Sequence, residues 1–388
     1  MAVGRRTAFA LALVLGVTTG AASLAQAPMV YHRGNTAEPE TLDQHLTSTV
    51  YEANILRDLY ESLVVHGPAA EIRPGAAASW TVSDDGLVYT FEIRDDARWS
   101  NGDDLTADDF VFSYRRILDP ATGAKYANIL YPIAGAEAVN KGEAAPATIG
   151  VRAVDAKTLE ITLEAPTPYF LELLTHQTSL PVYPPSVEDH GMAFTRPENM
   201  VSNGAYTLVE WVPNAHIKLA KNDAFHDADN VAIDEVYYYP TEDRSAALRR
   251  FMAGELHSNP DAPTEQMDFM REELGDQLRI APYLGTYYFA LNTQRPPLDD
   301  VRVRQALSMA ADRVFLADAI WGGAMIPAYG FVPPGIGNYV ENPPRLDYAE
   351  EPMFDREERA IALMEEAGYG PDNPIELEVS YNTSEHHR

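Results

Sequence analysis

Hydrophobic positions recur with two periods along this chain, and the switches between them mark its elements. Tyr89, Phe91 and Ile93 alternate with Thr90 and Glu92, the two-residue period of a half-buried strand, between turns at Asp85-Gly86 and Asn101-Gly102. Leu159, Ile161 and Leu163 share one face in the same way and predict a hairpin over residues 149–163. Further strands are expected near Val30, over residues 217–219 and 236–239, and at Ile375, Leu377, Val379 and Tyr381. The aromatic stretch 286–291 also reads as strand, closed by the Asn, Pro and Pro of residues 292–297. Helical spacing takes over elsewhere. Ile55, Leu59 and Leu63 predict a helix over 51–63, and residues 244–252 predict another. Val303, Ala306, Leu307, Ala310 and Val314 form one apolar face, with Asp299 and Asp300 at its positive end. Ile361, Met364 and Ala367 form another in a helix opened by Asp355 and stopped by Gly368. Thr106-x-x-Asp109 has the form of a capping box for a helix from Ala107; the neighbouring acids Asp103, Asp104, Asp108 and Asp109 lack the ladder and terminal glutamate of a calcium loop.

Strands alternating with helices argue an α/β architecture. At 388 residues and 46% hydrophobic content, the chain can fill two or three lobes. Prolines 166, 168, 181, 184 and 185 break it where a hinge would fit. A net charge of −29, from 29 basic and 58 acidic residues, repels nucleic acid and anionic lipid and argues against a nucleic-acid partner. With no cysteine, thiol nucleophiles, disulfides and a lipidated cysteine anchor are excluded. The N-terminus reads as a cleavable signal peptide over residues 1–25. Arg5 and Arg6 precede the apolar run 8–17, and Ser23-Leu24-Ala25 supplies small residues for cleavage before Gln26. The expected location is therefore the periplasm.

Catalytic signatures are scarce. Neither G-x-S-x-G nor H-E-x-x-H occurs, and Gly335-Ile336-Gly337 lacks the third glycine of a dinucleotide loop. His386 and His387 are adjacent and would point to different sides of any regular element, which disfavours a shared metal. These features predict a binding protein with no cofactor and no enzyme activity. A secreted hydrolase using an unrecognised carboxylate pair is the alternative.

Residues 285–313, GTYYFALNTQRPPLDDVRVRQALSMAADR, together with Met325-Ile326-Pro327-Ala328-Tyr329-Gly330 and Pro333-Pro334, carry a specific resemblance. So do residues 76–110, AAASWTVSDDGLVYTFEIRDDARWSNGDDLTADDF, and the Asn203-Gly204-Ala205-Tyr206 motif. The chain resembles the extracytoplasmic solute-binding proteins of peptide transporters, the oligopeptide-binding type, over nearly everything after residue 30. The resemblance implies the type II periplasmic binding protein fold, two-lobed with an extra inserted domain and closing by a hinge on its ligand. It implies a discontinuous base lobe over 26–60 and 185–284, an inserted second lobe over 61–184, and a distal lobe from 285 to 388. In the family that distal lobe continues further, so the 388-residue chain is expected to be incomplete and to bind peptide poorly by itself. The implied ligands are short peptides, with inner-membrane ABC transporter permease subunits as partners and a monomeric state. Relatives that bind haem, metal complexes or oligosaccharides leave the ligand class open.

By the same resemblance Ser48, Thr49 and Val50 occupy the ligand-edge segment, Tyr126 an aromatic contact from the second lobe, and Tyr283, Gly285 and Tyr288 the interlobe strand. Asn382 and His387 fall in a further ligand motif, Y-N-T-S-x-x-H. For each tyrosine, core packing is the competing role. The sequence departs from the peptide binders at Ser48, where they have glutamate, at Gln44, where they have proline, and over 319–321, which lack their lysine.

Overall fold

The computed structural model describes residues 27–281, 283–336 and 339–381. Among them ten strands form three sheets. The strands are β1 (Val30–Gly34), β2 (Val64–His66), β3 (Ile72–Pro74), β4 (Ala77–Val82), β5 (Val88–Ile93), β6 (Val151–Ala153), β7 (Thr158–Thr162), β8 (Tyr206–Val212), β9 (His216–Lys221) and β10 (Glu235–Tyr239). β1 lies parallel to β10 at the edge of a sheet ordered β1-β10-β9-β8, so chain segments more than 170 residues apart share one sheet. The intervening segment makes its own antiparallel sheet, β4-β5-β7-β6, and β2-β3 is a separate pair.

The alternation read in β5 is real. Tyr89, Phe91 and Ile93 are buried between β4 and β7, in register with Ile161 and Leu159, and form one core with Phe110, Tyr114 and Ile117 of the helix Ala107–Leu118. That helix begins where the sequence places it. The Asp109 carboxylate accepts the backbone N–H of Thr106 at 2.8 Å and the indole N–H of Trp99 at 3.1 Å. An acid expected to cap a helix therefore also anchors a fully buried tryptophan.

The helix Val50–Leu59 packs on the β1-β10-β9-β8 sheet, burying Ile55, Leu56 and Leu59. The Tyr238 hydroxyl donates to Asp58 Oδ2 at 2.7 Å and to the carbonyl of Asn54 at 3.0 Å. Asn35, just past β1, donates to the Tyr51 carbonyl at 2.9 Å and accepts from Asn54 at 3.2 Å. Sheet and helix are thus fixed to each other along the helix's length. This helix is shorter than the spacing predicts: it ends at Leu59, and Leu63 is buried outside it, because Tyr60 turns to an extended conformation (φ −133°, ψ 150°).

The later part of the chain departs further. The Val301–Ala310 helix starts at Asp300, whose carboxylate accepts the Arg302 N–H at 2.8 Å, but it stops before Val314, which is exposed. The Met353–Glu366 helix buries Arg356 and Ala360, not Ile361. Arg356 tolerates burial because it lies 5.7 Å from the Tyr329 ring centre, donates to that residue's hydroxyl at 3.3 Å and reaches the Met353 sulfur. Residues 286–291 and 375–381 are not strands in the structure. Both keep β-favouring composition, yet among the described residues neither has a neighbouring strand. A strand exists only where a second segment takes up its backbone N–H and C=O groups.

Candidate functional site

The N-terminus of the Val50–Leu59 helix is closed by a reciprocal cap. Thr49 Oγ1 accepts the Glu52 N–H at 3.4 Å; Glu52 Oε2 accepts the N–H of Ser48 at 3.0 Å, the N–H of Thr49 at 3.1 Å and the Thr49 hydroxyl at 2.8 Å. One buried carboxylate therefore holds Ser48 and Thr49 at the start of the helix. Val50 is left exposed, as an apolar side chain offered to a ligand would be.

Tyr126 stands close by. Its neighbour Lys125 lies with Nζ 3.4 Å from Glu40 and 3.5 Å from Ser48 Oγ, and the Tyr126 ring meets His176 edge-on at 5.7 Å. Lys125 thus links the Tyr126 segment to Ser48, and His176 stands against Tyr126. Burial, and then the Arg57 guanidinium, push the His176 imidazole down to about 4, so it is neutral at pH 7.

Tyr283 and Gly285 form a second group. The Gly285 N–H returns to the Tyr283 carbonyl at 2.8 Å, and the Tyr283 ring folds over the glycine so closely that a Cβ there would meet its Cε1 at 2.7 Å. Tyr283 is 81% exposed. Tyr288, also exposed, contacts Phe331 with ring centres 5.4 Å apart, while Thr286 donates to the Phe331 carbonyl at 2.7 Å. Tyr283 and Tyr288 are both exposed among the described residues. Asn382 and His387 lie outside the described residues, as does the segment read as a signal peptide.

Three side chains beside these residues escaped the sequence reading: Lys125, His176 and Arg57. Arg57 was visible as the basic residue of the "R-D-L-Y-E" run, and Lys125 as the charge next to Tyr126. His176 carried no local signal, being 50 residues from its ring partner. Gln44, the departure from proline, is buried and donates through Nε2 to the Pro181 carbonyl at 2.6 Å. It fastens the loop preceding the site to the proline-rich crossover.

Among the described residues no group of three or more histidines and carboxylates could hold a metal ion, and no helix is long and apolar enough to cross a membrane. A recess of about 440 Å³ between the Val301–Ala310 and Met353–Glu366 helices is lined by Arg304, Met309, Tyr348 and Arg359 among others. It contains none of the residues implied by the resemblance.

The model of the bacterial extracellular solute-binding proteins, family 5 middle region, matches residues 71–388. The periplasmic oligopeptide-binding protein OppA of Escherichia coli is 38% identical over 360 residues, 92% of this chain and 66% of that protein. Its Haemophilus influenzae counterpart is 37% identical over 359 residues, again 66% of its length. Among solved structures, OppA of Burkholderia pseudomallei superposes with a TM-score of 0.87 at 37% identity, covering 90% of this chain and 69% of the other. Haemophilus influenzae OppA in complex with RPPGFSPFR gives 0.85 at 36% identity, covering 90% and 69%. The chain therefore spans just under two thirds of the length of the curated relatives it matches.

Proposed function

The chain belongs to the bacterial extracellular solute-binding proteins of family 5, with their two-lobed type II fold, and from that premise we propose that it is the periplasmic substrate-binding component of an ABC transporter. It captures short peptides between its lobes and hands them to inner-membrane permease subunits. The relatives matched are solute-binding proteins; we extend that to this chain as a monomeric receptor without enzyme activity, exported through a signal peptide cleaved before Gln26. The base lobe comprises 26–60 and 185–284, the inserted lobe 61–184, and the distal lobe starts at 285.

The observation that carries this reading is the capped segment 48–50 with Tyr126 beside it. A segment held this firmly next to an exposed aromatic ring suits an extended peptide, whose main chain pairs with groups other than the Ser48 and Thr49 N–H that Glu52 holds while its side chains enter roomy pockets. About six backbone hydrogen bonds at about 1 kcal/mol each, with about 2 kcal/mol from a charged terminus, approach micromolar affinity without reading sequence. Tyr283, Gly285, Tyr288, Asn382 and His387 complete the wall in this proposal. Calorimetry of the complete protein with a defined peptide pool should give saturable heat, and mass spectrometry of the recovered peptides should find them intact. Peptide cleavage at a rate removed by a single carboxylate substitution would establish the hydrolase instead.

A further inference from the structure

Arg57 sits in the last turn of the Val50–Leu59 helix and turns away from the core that Ile55, Leu56 and Leu59 enter. Two other basic side chains reach the same end of that helix from different directions. Arg33, on β1, lies 5.4 Å from the centre of the Tyr238 ring, whose hydroxyl is bound to Asn54, three residues before Arg57, and to Asp58, the residue after it. His176 caps the short turn Gln177–Ser179, which packs on the same helix through the Ser62–Ser179 hydroxyl contact at 3.0 Å just beyond its end. The side chain of Arg57 makes no hydrogen bond or ion pair with any described residue.

The nearby acids are already engaged. Asp58 accepts the Tyr238 hydroxyl, Glu52 is filled by the three donors of the helix cap, and Glu40 faces Lys125. Arg33 attracts the buried Asp58 carboxylate, whereas Arg57 faces Arg33 and His176. Burial, and then Arg33, hold the Arg57 guanidinium below its usual range, and Arg57 in turn depresses His176. The Tyr283 phenol acts on Arg57 electrostatically, and the Tyr126 ring lies against His176. In a chain of net charge −29, a cation left without a carboxylate beside a second cation, Arg33, and a neutral imidazole is an unspent electrostatic attraction, next to residues already assigned to the ligand wall.

We propose that Arg57, backed by Arg33 and flanked by His176, Tyr126 and Tyr283, is a carboxylate-binding subsite, so that this receptor selects ligands presenting a carboxylate to the end of the Val50–Leu59 helix. The planar guanidinium fork matches a carboxylate through two parallel N–H···O bonds, which a lysine ammonium cannot reproduce. The carboxylate comes from a peptide C-terminus or from an acidic side chain. This inference rests on the receptor reading above and narrows its substrate class.

The test uses the full chain and four forms of one short peptide: free C-terminus or C-terminal amide, each with a central Glu or Gln. The wild-type protein should bind the form carrying the recognised carboxylate about tenfold tighter than its neutral counterpart, the free-acid pair pointing to the terminus and the Glu/Gln pair to the side chain. Arg57→Gln should bring that ratio to about one, and Arg57→Lys should restore it only in part. A ratio near one in the wild type, or one unchanged by Arg57→Gln, overturns the proposal. A second readout needs no peptide: glutarate titrated into isotope-labelled protein should shift the Arg57 side-chain and His176 imidazole resonances and raise the His176 pKa. Absence of those shifts overturns the subsite even if peptides bind; their presence with no peptide binding supports it and sinks the peptide-receptor reading alone.

Discussion

Arg116 clasps Asp43 with both ends of its guanidinium, Nη1 to Oδ1 at 2.9 Å and Nη2 to Oδ2 at 2.6 Å, joining the loop after β1 to the Ala107–Leu118 helix 73 residues away. The Asp43 side chain is wholly buried and that of Arg116 only 14% exposed. Burial alone would raise the Asp43 carboxyl, yet the Arg116 hydrogen bonds hold it below the usual carboxylate range. The other face of Arg116 lies 5.3 Å from the Phe194 ring centre.

Removing one partner of such a pair strands a charge away from water. Arg116→Met should lower the unfolding free energy by about 3–5 kcal/mol, whereas Asp43→Leu with Arg116→Met, which buries no charge, should recover a substantial part of that loss. Denaturant unfolding of the three proteins checks this. Additive losses in the double variant would show that the pair contributes little as a pair.

The same guanidinium sets a pH dependence. Arg116 Nη1 also donates to His45 Nδ1 at 2.7 Å, and a guanidinium has only donors, so this imidazole must be neutral with Nδ1 as acceptor. Burial, and then Arg116, hold the His45 pKa down to about 3. In the unfolded chain it returns to about 6.5, so the unfolded state binds the extra proton over the whole interval. The stability tied to His45 is therefore complete above about pH 6.5 and is lost as pH falls toward 3, with a slope of up to about 1.4 kcal/mol per pH unit. His45→Gln should flatten the stability profile between about pH 6 and pH 4 relative to wild type. Parallel profiles for the two proteins would contradict this account.

These buried contacts also show where sequence reading stops. The Thr106–Asp109 cap, the β5 alternation and the Arg244–Met252 helix are local, encoded within one turn or one pleat, and the structure reproduces them. The Asp43–Arg116–His45 cluster joins residues from two distant segments, and nothing within either segment names its partner. Residues 286–291 show the converse. Their composition expresses a preference for extended backbone, but the ladder that turns preference into a strand must come from elsewhere in the chain. For the candidate site, Thr49 and Tyr126 are named through the family resemblance alone, while Arg57 and His176 acquire meaning only once helix and turn pack together.

Tyr288 offers a test of the ligand wall. It is 61% exposed and its ring contact is with Phe331, so truncating it removes little buried area. Tyr288→Ala should weaken peptide binding about tenfold, the effect of losing one aromatic anchor, with little change in melting temperature. A large stability loss with unchanged affinity per folded molecule would assign the ring to the core.

Gly204 lies where the chain enters β8, against the end of the Val50–Leu59 helix. Its N–H donates to the Leu59 carbonyl at 2.8 Å, and a Cβ in its place would stand 2.6 Å from the Leu59 carbonyl carbon, 2.6 Å from Tyr60 N and 2.8 Å from the Asp58 oxygen. All three are backbone atoms of the helix exit, which no rotamer change can move aside. Asn203 tightens the same junction: its Oδ1 accepts the Glu61 N–H at 3.1 Å and its Nδ2 donates to the Glu61 carbonyl at 2.9 Å. The Asn-Gly pair is thus required by close approach rather than by turn geometry. Gly204→Ala should force strand and helix apart and destabilise the fold by about 1–3 kcal/mol, the usual range for overpacking. The displaced helix turn carries Arg57 and Asp58, so any binding that depends on Arg57 should weaken in the molecules that remain folded. Asn203→Ala, which removes hydrogen bonds without a clash, should cost about 1–2 kcal/mol. Unfolding curves and calorimetry on both variants decide the matter: a Gly204→Ala protein as stable as wild type would mean that the junction yields, and that the close approach of β8 does not fix the end of the helix.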